Sequence, residues 1–157
     1  MSARRRITHG FTLVEILIVV VILGILAAVV IPQFTSASET AKQSSLESQL
    51  QTIRSQLELY QVQHNGNYPT LAQMALMLNL VESTDVAGAT TGSDFGPYLQ
   101  KAPVNPFTAG TDGNVVAAAP VSTVGWVYIA ASGALTVSLD DTVLAGLTMD
   151  ANDVSTY

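Results

Sequence analysis

The stretch Gly10-Phe11-Thr12-Leu13-Val14-Glu15, continued by the apolar run Ile16 to Ile31 and met by Pro32, decides how this chain reads. Of the 21 residues from Phe11 to Ile31, only Thr12 and Glu15 are polar. At about 1.5 Å per residue such a helix is roughly 31 Å long, enough to cross a hydrocarbon core of about 30 Å. Arg4, Arg5 and Arg6 stand just before it. Positive charge flanking a first span holds that end in the cytoplasm, so the rest of the chain is expected on the far side.

A cleavable secretory signal is the competing reading, with cutting among small residues such as Ala27-Ala28 or Ser36-Ala37-Ser38. Two features oppose it. The uninterrupted run from Ile16 to Ile31 has 16 residues, at or beyond the top of the roughly 7–15 typical of a signal's apolar region. Glu15 also lies inside the apolar segment, where a carboxylate costs about 2.5–3.5 kcal/mol at a helix centre and less near the interface.

The whole composition agrees with an anchored chain. Hydrophobic residues make up 48% of the 157 and charged residues 11%, with mean hydropathy +0.38. The chain is therefore neither disordered nor an ordinary water-soluble domain, and divides naturally into one domain and an apolar extension. Twelve carboxylates face six cations, three of which are Arg4, Arg5 and Arg6. An acidic domain repels phosphate backbones, so direct binding of nucleic acid is not expected. There is no cysteine, which removes disulfides, thiolate metal sites and cysteine nucleophiles. The only histidines are His9 and His64, too few for a histidine triad or a multi-histidine metal site in the folded domain.

From Gly10 to Phe34 the chain resembles the type IV pilin and type II secretion pseudopilin superfamily, on the motif Gly10-Phe11-Thr12-Leu13-Val14-Glu15. The resemblance implies a prepilin peptidase that cuts after Gly10 and methylates the new amino terminus, Phe11. It implies an assembly role for Glu15. Four residues on from Phe11, this carboxylate lies about 6 Å along a helix from the new amino group. In a staggered filament it can pair with the Phe11 ammonium of a neighbouring subunit, offsetting the desolvation of both charges. A second reading of the same residues is a capping box, Thr12 at N-cap and Glu15 at N3, and the two roles are compatible.

Gly24 and Pro32 weaken the helix, one by conformational freedom and one by its missing amide. The resemblance implies that this stretch extends when subunits pack. The alternative is a modest kink in a continuous helix. Beyond it Leu46, Leu50, Ile53, Leu57 and Tyr60 recur at spacings of 4, 3, 4 and 3, one apolar stripe on a solvated helix. The helix is expected to end near His64-Asn65-Gly66, with His64 as a cation at its carboxyl end and without a catalytic role.

Thr70 to Val81 reads as a second, Thr70-capped helix with Leu71, Met74, Ala75, Leu78 and Val81 on one side and the methionines filling core. Strands are expected at 114–119, 124–130 and 134–139, the last two joined by Ala131-Ser132-Gly133. Trp126 and Tyr128 share one strand face, which the Leu46 to Tyr60 stripe is placed to cover, so Trp126 is read as core or subunit interface.

Asn67-Tyr68-Pro69 and Gly96-Pro97-Tyr98-Leu99, with Pro103 and Pro106, look like the major pseudopilin branch, general secretion pathway protein G-like. That branch implies a structural calcium ion near the carboxyl end. Asp140, Asp141, Asp150, Asn152 and Asp153 are the hard oxygen donors available there. No regular Asp-x-Asp-x-Asp-Gly loop accompanies them, and the alternative is solvated turn acids.

The expected fold is α+β: a pilin fold whose long amino-terminal helix, transmembrane in its first half, packs on a small antiparallel sheet. Residues 1–10 form the leader, 11–34 the membrane and filament-core helix, and 35–157 the periplasmic domain. The expected function is a structural subunit of a type II secretion pseudopilus, anchored in the inner membrane and polymerised to drive protein export. Its expected partners are further copies of itself, minor pseudopilins, the prepilin peptidase and the inner-membrane assembly platform. A type IV pilus subunit and a membrane-anchored binding domain are the alternatives. No nucleophile elbow, histidine-rich motif or phosphate loop points to an enzyme.

Overall fold

The computed structural model describes residues 10–108, 112–150 and 152–156, so Arg4 to Arg6 lie outside the described residues. The chain divides into two compact units at the Ser38–Glu39 junction. Helix α1 (Leu13–Gln63) contributes to both and runs through Gly24 and Pro32 as one 51-residue element.

In the first unit the apolar side chains of α1 are exposed around the whole helix, from Leu13 at 81% to Val30 at 42%. A helix apolar on every side has no single face to bury against its own chain.

In the second unit the stripe is as expected. Leu46, Leu50, Ile53, Leu57 and Tyr60 are all buried. They form one core with Trp126, Tyr128, Leu135, Val137 and Leu139 of the sheet, and with Met74, Met77 and Leu80. Past Gln63 the backbone turns left-handed at Asn65 (φ 56°) and Gly66 (φ 84°), and the Gly66 amide donates to the Gln61 carbonyl at 2.8 Å. Asn and Gly adopt that conformation most readily, which is why the helix stops here.

The expected second helix is three short pieces: α2 (Leu71–Met74), a 3₁₀ turn (Ala75–Met77) and α3 (Leu78–Val81). Thr70 caps α2 in a full capping box with Gln73. The break follows from spacing. Residues three apart drift around an α-helix of about 3.6 residues per turn but eclipse in a 3₁₀ turn of about 3.0. Met74, Met77 and Leu80 are three apart, and all are fully buried. The chain reaches this by placing Leu76 and Met77 at φ 56°, which leaves Leu76 exposed, together with Ala75 and Leu78 of the expected packed side.

The sheet corrects the antiparallel expectation. Strands β1 (Val116–Ala117), β2 (Trp126–Ile129), β3 (Ala134–Leu139) and β4 (Val154–Thr156) lie in the order β1-β2-β3-β4. Only the β2–β3 pair is antiparallel, with Trp126 opposite Val137. The β1–β2 and β3–β4 pairs are parallel. A parallel return needs a crossover of about a dozen residues. Residues 140–153, carrying the short helix α4 (Asp141–Leu144), provide it for β4. Strand β1 is shorter than expected, and β4 has no counterpart in the sequence reading.

The β2–β3 hairpin closes over residues 130–133, one residue longer than the expected connection. Gly133 sits there at φ 69°, and a Cβ would lie 2.4 Å from the Tyr68 ring. At Gly125, just before β2, a Cβ would lie 2.0 Å from the Gly113 carbonyl oxygen. Glycine at 125 lets the long irregular segment close directly on the sheet.

Candidate functional site

The residues singled out by sequence at the amino end lie together. Gly10, Phe11 and Thr12 precede the helix, so the Gly10–Phe11 peptide bond is exposed, non-helical backbone. A Cβ at Gly10 would meet nothing within 4 Å.

Thr12 and Glu15 form the reciprocal arrangement of a capping box. Glu15 Oε2 accepts from the Thr12 amide and the Thr12 hydroxyl, both at 2.8 Å, and Thr12 Oγ1 accepts from the Glu15 amide at 3.2 Å. The carboxylate is therefore held at the helix N-terminus, where the macrodipole favours negative charge. Downstream, the apolar run of α1 is long and uncharged beyond Glu15, and none of it is buried in the chain. By length and composition it can cross a membrane. Gly24 and Pro32 lie within this helix, and Gly24 has open space around it.

At the carboxyl end the expected oxygen donors do not converge. Asp140 caps α4, accepting from the Thr142 amide at 2.8 Å and from the Thr142 hydroxyl. Those two bonds, the hydroxyl's foremost, hold its carboxyl below the usual carboxylate range. Asp141 occupies the first turn of α4. Asp150 Oδ1 accepts from the amide and side-chain nitrogen of Asn152, each at 2.8 Å. Asp153 Oδ1 accepts from Arg54 Nη1 at 2.6 Å. Among the described residues no three of Asp, Glu and His lie close enough to share a metal ion. Asp140 and Asp150 are committed to local turns and Asp153 to an arginine, and no three of the acids converge, so the donor set does not fit calcium.

Two polar centres were missed by the sequence reading. Asn105 is buried and donates through Nδ2 to the carbonyls of Gly125 (3.1 Å) and Ser138 (3.0 Å), while its Oδ1 accepts from the Phe107 amide at 2.9 Å. His64 is buried instead of exposed at the helix end, its Nδ1 donating to the Tyr60 carbonyl at 2.8 Å. Its position four residues after Tyr60 continues the apolar stripe, a signal that was available. Trp126 is fully buried in the core.

The prokaryotic N-terminal methylation motif matches residues 5–31, and the type II secretion system protein G family matches residues 33–112. The core protein G of the Pseudomonas aeruginosa type II secretion system is 38% identical over 104 residues, covering 66% of this chain and 71% of its own length. The chain belongs to the type II secretion system protein G family. Among other relatives of the family, the core protein G of Aeromonas hydrophila is 34% identical over 107 residues, 68% of this chain and 71% of that protein. A type IV narrow pilus major component of Thermus thermophilus is 36% identical over 84 residues, 54% of this chain and 66% of that protein. No solved structure gives a significant match. As a protein G family member the chain is a pseudopilin, a structural subunit and not an enzyme, with the pilin-like α+β fold.

Proposed function

We propose that this pseudopilin is made as a precursor, cut between Gly10 and Phe11, N-methylated at Phe11 and polymerised through residues 11–34 into a type II secretion pseudopilus. Before assembly it spans the inner membrane once, with Arg4, Arg5 and Arg6 in the cytoplasm and residues 35–157 in the periplasm. Its partners are further copies of itself, minor pseudopilins, the prepilin peptidase and the inner-membrane assembly platform. The growing filament drives protein export across the outer membrane.

One observation carries this reading: a helix long enough to span a bilayer, exposed on every side, with a carboxylate at its amino end and an accessible Gly-Phe bond just outside it. The exposed apolar surface suits lipid first and neighbouring helices afterwards. Between those two states close packing supplies the drive, because lipid already satisfies apolar surface. Cleavage at Gly10 frees an ammonium on Phe11, and the Glu15 carboxylate of an adjacent subunit neutralises it. Withdrawal from the bilayer then takes work from the assembly platform.

The test is the intact mass of the membrane-extracted protein, wild type against Gly10→Ala. The reading expects wild-type chains that begin at N-methylated Phe11 and a variant that keeps its leader. Wild-type chains beginning at residue 28 or later would mean a conventional secreted protein.

A further inference from the structure

We propose that in this chain the Arg54 guanidinium does the work a bound divalent cation would do, fastening the carboxy-terminal segment to α1 and to the sheet without metal. The proposal goes beyond filament assembly and holds for the isolated subunit. The observation is a convergence of oxygens on one organic cation. Arg54 Nη1 donates to Asp153 Oδ1 at 2.6 Å, and Nε and Nη2 donate to the Leu135 carbonyl at 3.1 and 2.7 Å. Nη2 also reaches the Asn152 carbonyl at 3.4 Å. A carboxylate and two carbonyls are the hard oxygen types that calcium takes. Here they face a permanent positive charge supplied by the protein's own helix.

The geometry explains why an arginine is needed there. The Val137 amide donates to the Asp153 carbonyl at 2.8 Å, where β4 begins to pair with β3. Leu135 lies two residues earlier, so its carbonyl points to the same edge of the sheet. Strand β4 does not extend that far, and Arg54 takes the vacant place on the ladder. The same guanidinium then holds the turn that feeds β4. Lone exposed ion pairs contribute little. This one is half-buried and also joins two backbone carbonyls that cannot swing away. Of the other carboxylates of the region, Asp140 and Asp150 accept from Thr142 and Asn152, and Asp141 stands in the first turn of α4.

The experiment is thermal unfolding of the full-length protein in detergent, with calcium and with chelator, together with hydrogen–deuterium exchange of residues 150–157. Wild type, Arg54→Met and Asp153→Asn are compared. The wild-type midpoint is expected to be the same in calcium and chelator. Arg54→Met is expected to lower it by about 4–8 °C and to speed exchange in 150–157 more than in α1. A wild-type midpoint raised by calcium overturns the proposal. So does an Arg54→Met protein with unchanged midpoint and exchange. If Arg54→Met does not fold, Asp153→Asn decides: faster exchange confined to 150–157 supports the proposal, and unchanged exchange overturns it.

Discussion

The His64 imidazole lies flat on the Tyr60 ring, centroids 3.6 Å apart and planes 3° from parallel. Its Nδ1 donates to the carbonyl of Tyr60 itself, and its Nε2 meets the Thr84 hydroxyl at 3.0 Å. Phe95 closes the edge at 5.2 Å, and the Tyr60 hydroxyl accepts from Asn79 Nδ2 at 3.2 Å. The last turn of α1 is thus tied to the 84–95 loop through one buried polar seam. Replacing His64 by Leu keeps most of the volume but takes the Nε2 partner from the buried Thr84 hydroxyl, while the Tyr60 carbonyl keeps its helical bond from the residue-64 amide. The expected loss is about 1–3 kcal/mol, measured by denaturant unfolding of the full chain in detergent. An unchanged midpoint would show that the seam contributes nothing.

Asn105 ties residue 107 to the point where the approach to β2 meets the end of β3, two stretches already joined by the Ser138 amide donating to the Gly125 carbonyl at 3.1 Å. Asn105→Ala leaves the Ser138 carbonyl and the Phe107 amide without that partner, while the Gly125 carbonyl keeps its bond from the Ser138 amide. Each buried unpaired group costs about 1–3 kcal/mol, so a loss of about 2 kcal/mol or more is expected in the same unfolding assay. A loss below about 1 kcal/mol would mean that water replaces the amide.

Tyr128 donates its hydroxyl proton to the Pro69 carbonyl at 2.8 Å in the core. Burial, helped by the neighbouring Tyr68 and Tyr60, pushes this phenol well above its ordinary 10.0. A group whose acidity is weakened by folding contributes stability that is complete below the unfolded value and is lost as pH rises. Unfolding is therefore expected to become easier above pH 10, with Tyr60 and Tyr98, also raised by burial, adding to the slope. Tyr128→Phe costs about 1 kcal/mol at neutral pH and flattens this alkaline limb. Equal slopes in wild type and variant would place the titration elsewhere.

Glu15 is bonded to Thr12 at the very start of α1, so removing it leaves the second unit untouched. Glu15→Ala is expected to be processed at Gly10 and retained in the membrane, yet to give few or no sheared filaments by electron microscopy. Filaments of wild-type number and length would leave the carboxylate with capping alone.

Much of the second unit was legible because its signals are local. Stripe spacing in α1, Thr70 three residues before Gln73, and Asn65-Gly66 after the last turn each act over one or two turns. The β2–β3 hairpin is equally local. Strand β4 was not legible: its three residues pair in parallel after a 14-residue excursion, without the alternation that marks a half-buried strand. The carboxy-terminal acids were legible as oxygen donors, but not which cation they would meet.

The sequence by itself determined the apolar span, the Gly10-Phe11 junction with Glu15 four residues on, and the helix face that must be covered. Those features depend on residue type and spacing along one helix. Tertiary structure alone decided that Arg54 reaches carbonyls and a carboxylate 81 to 99 residues away, that His64 is buried, and that the sheet is mixed. Such partners are chosen by which strand edge ends where in space, and no periodicity along the chain encodes that.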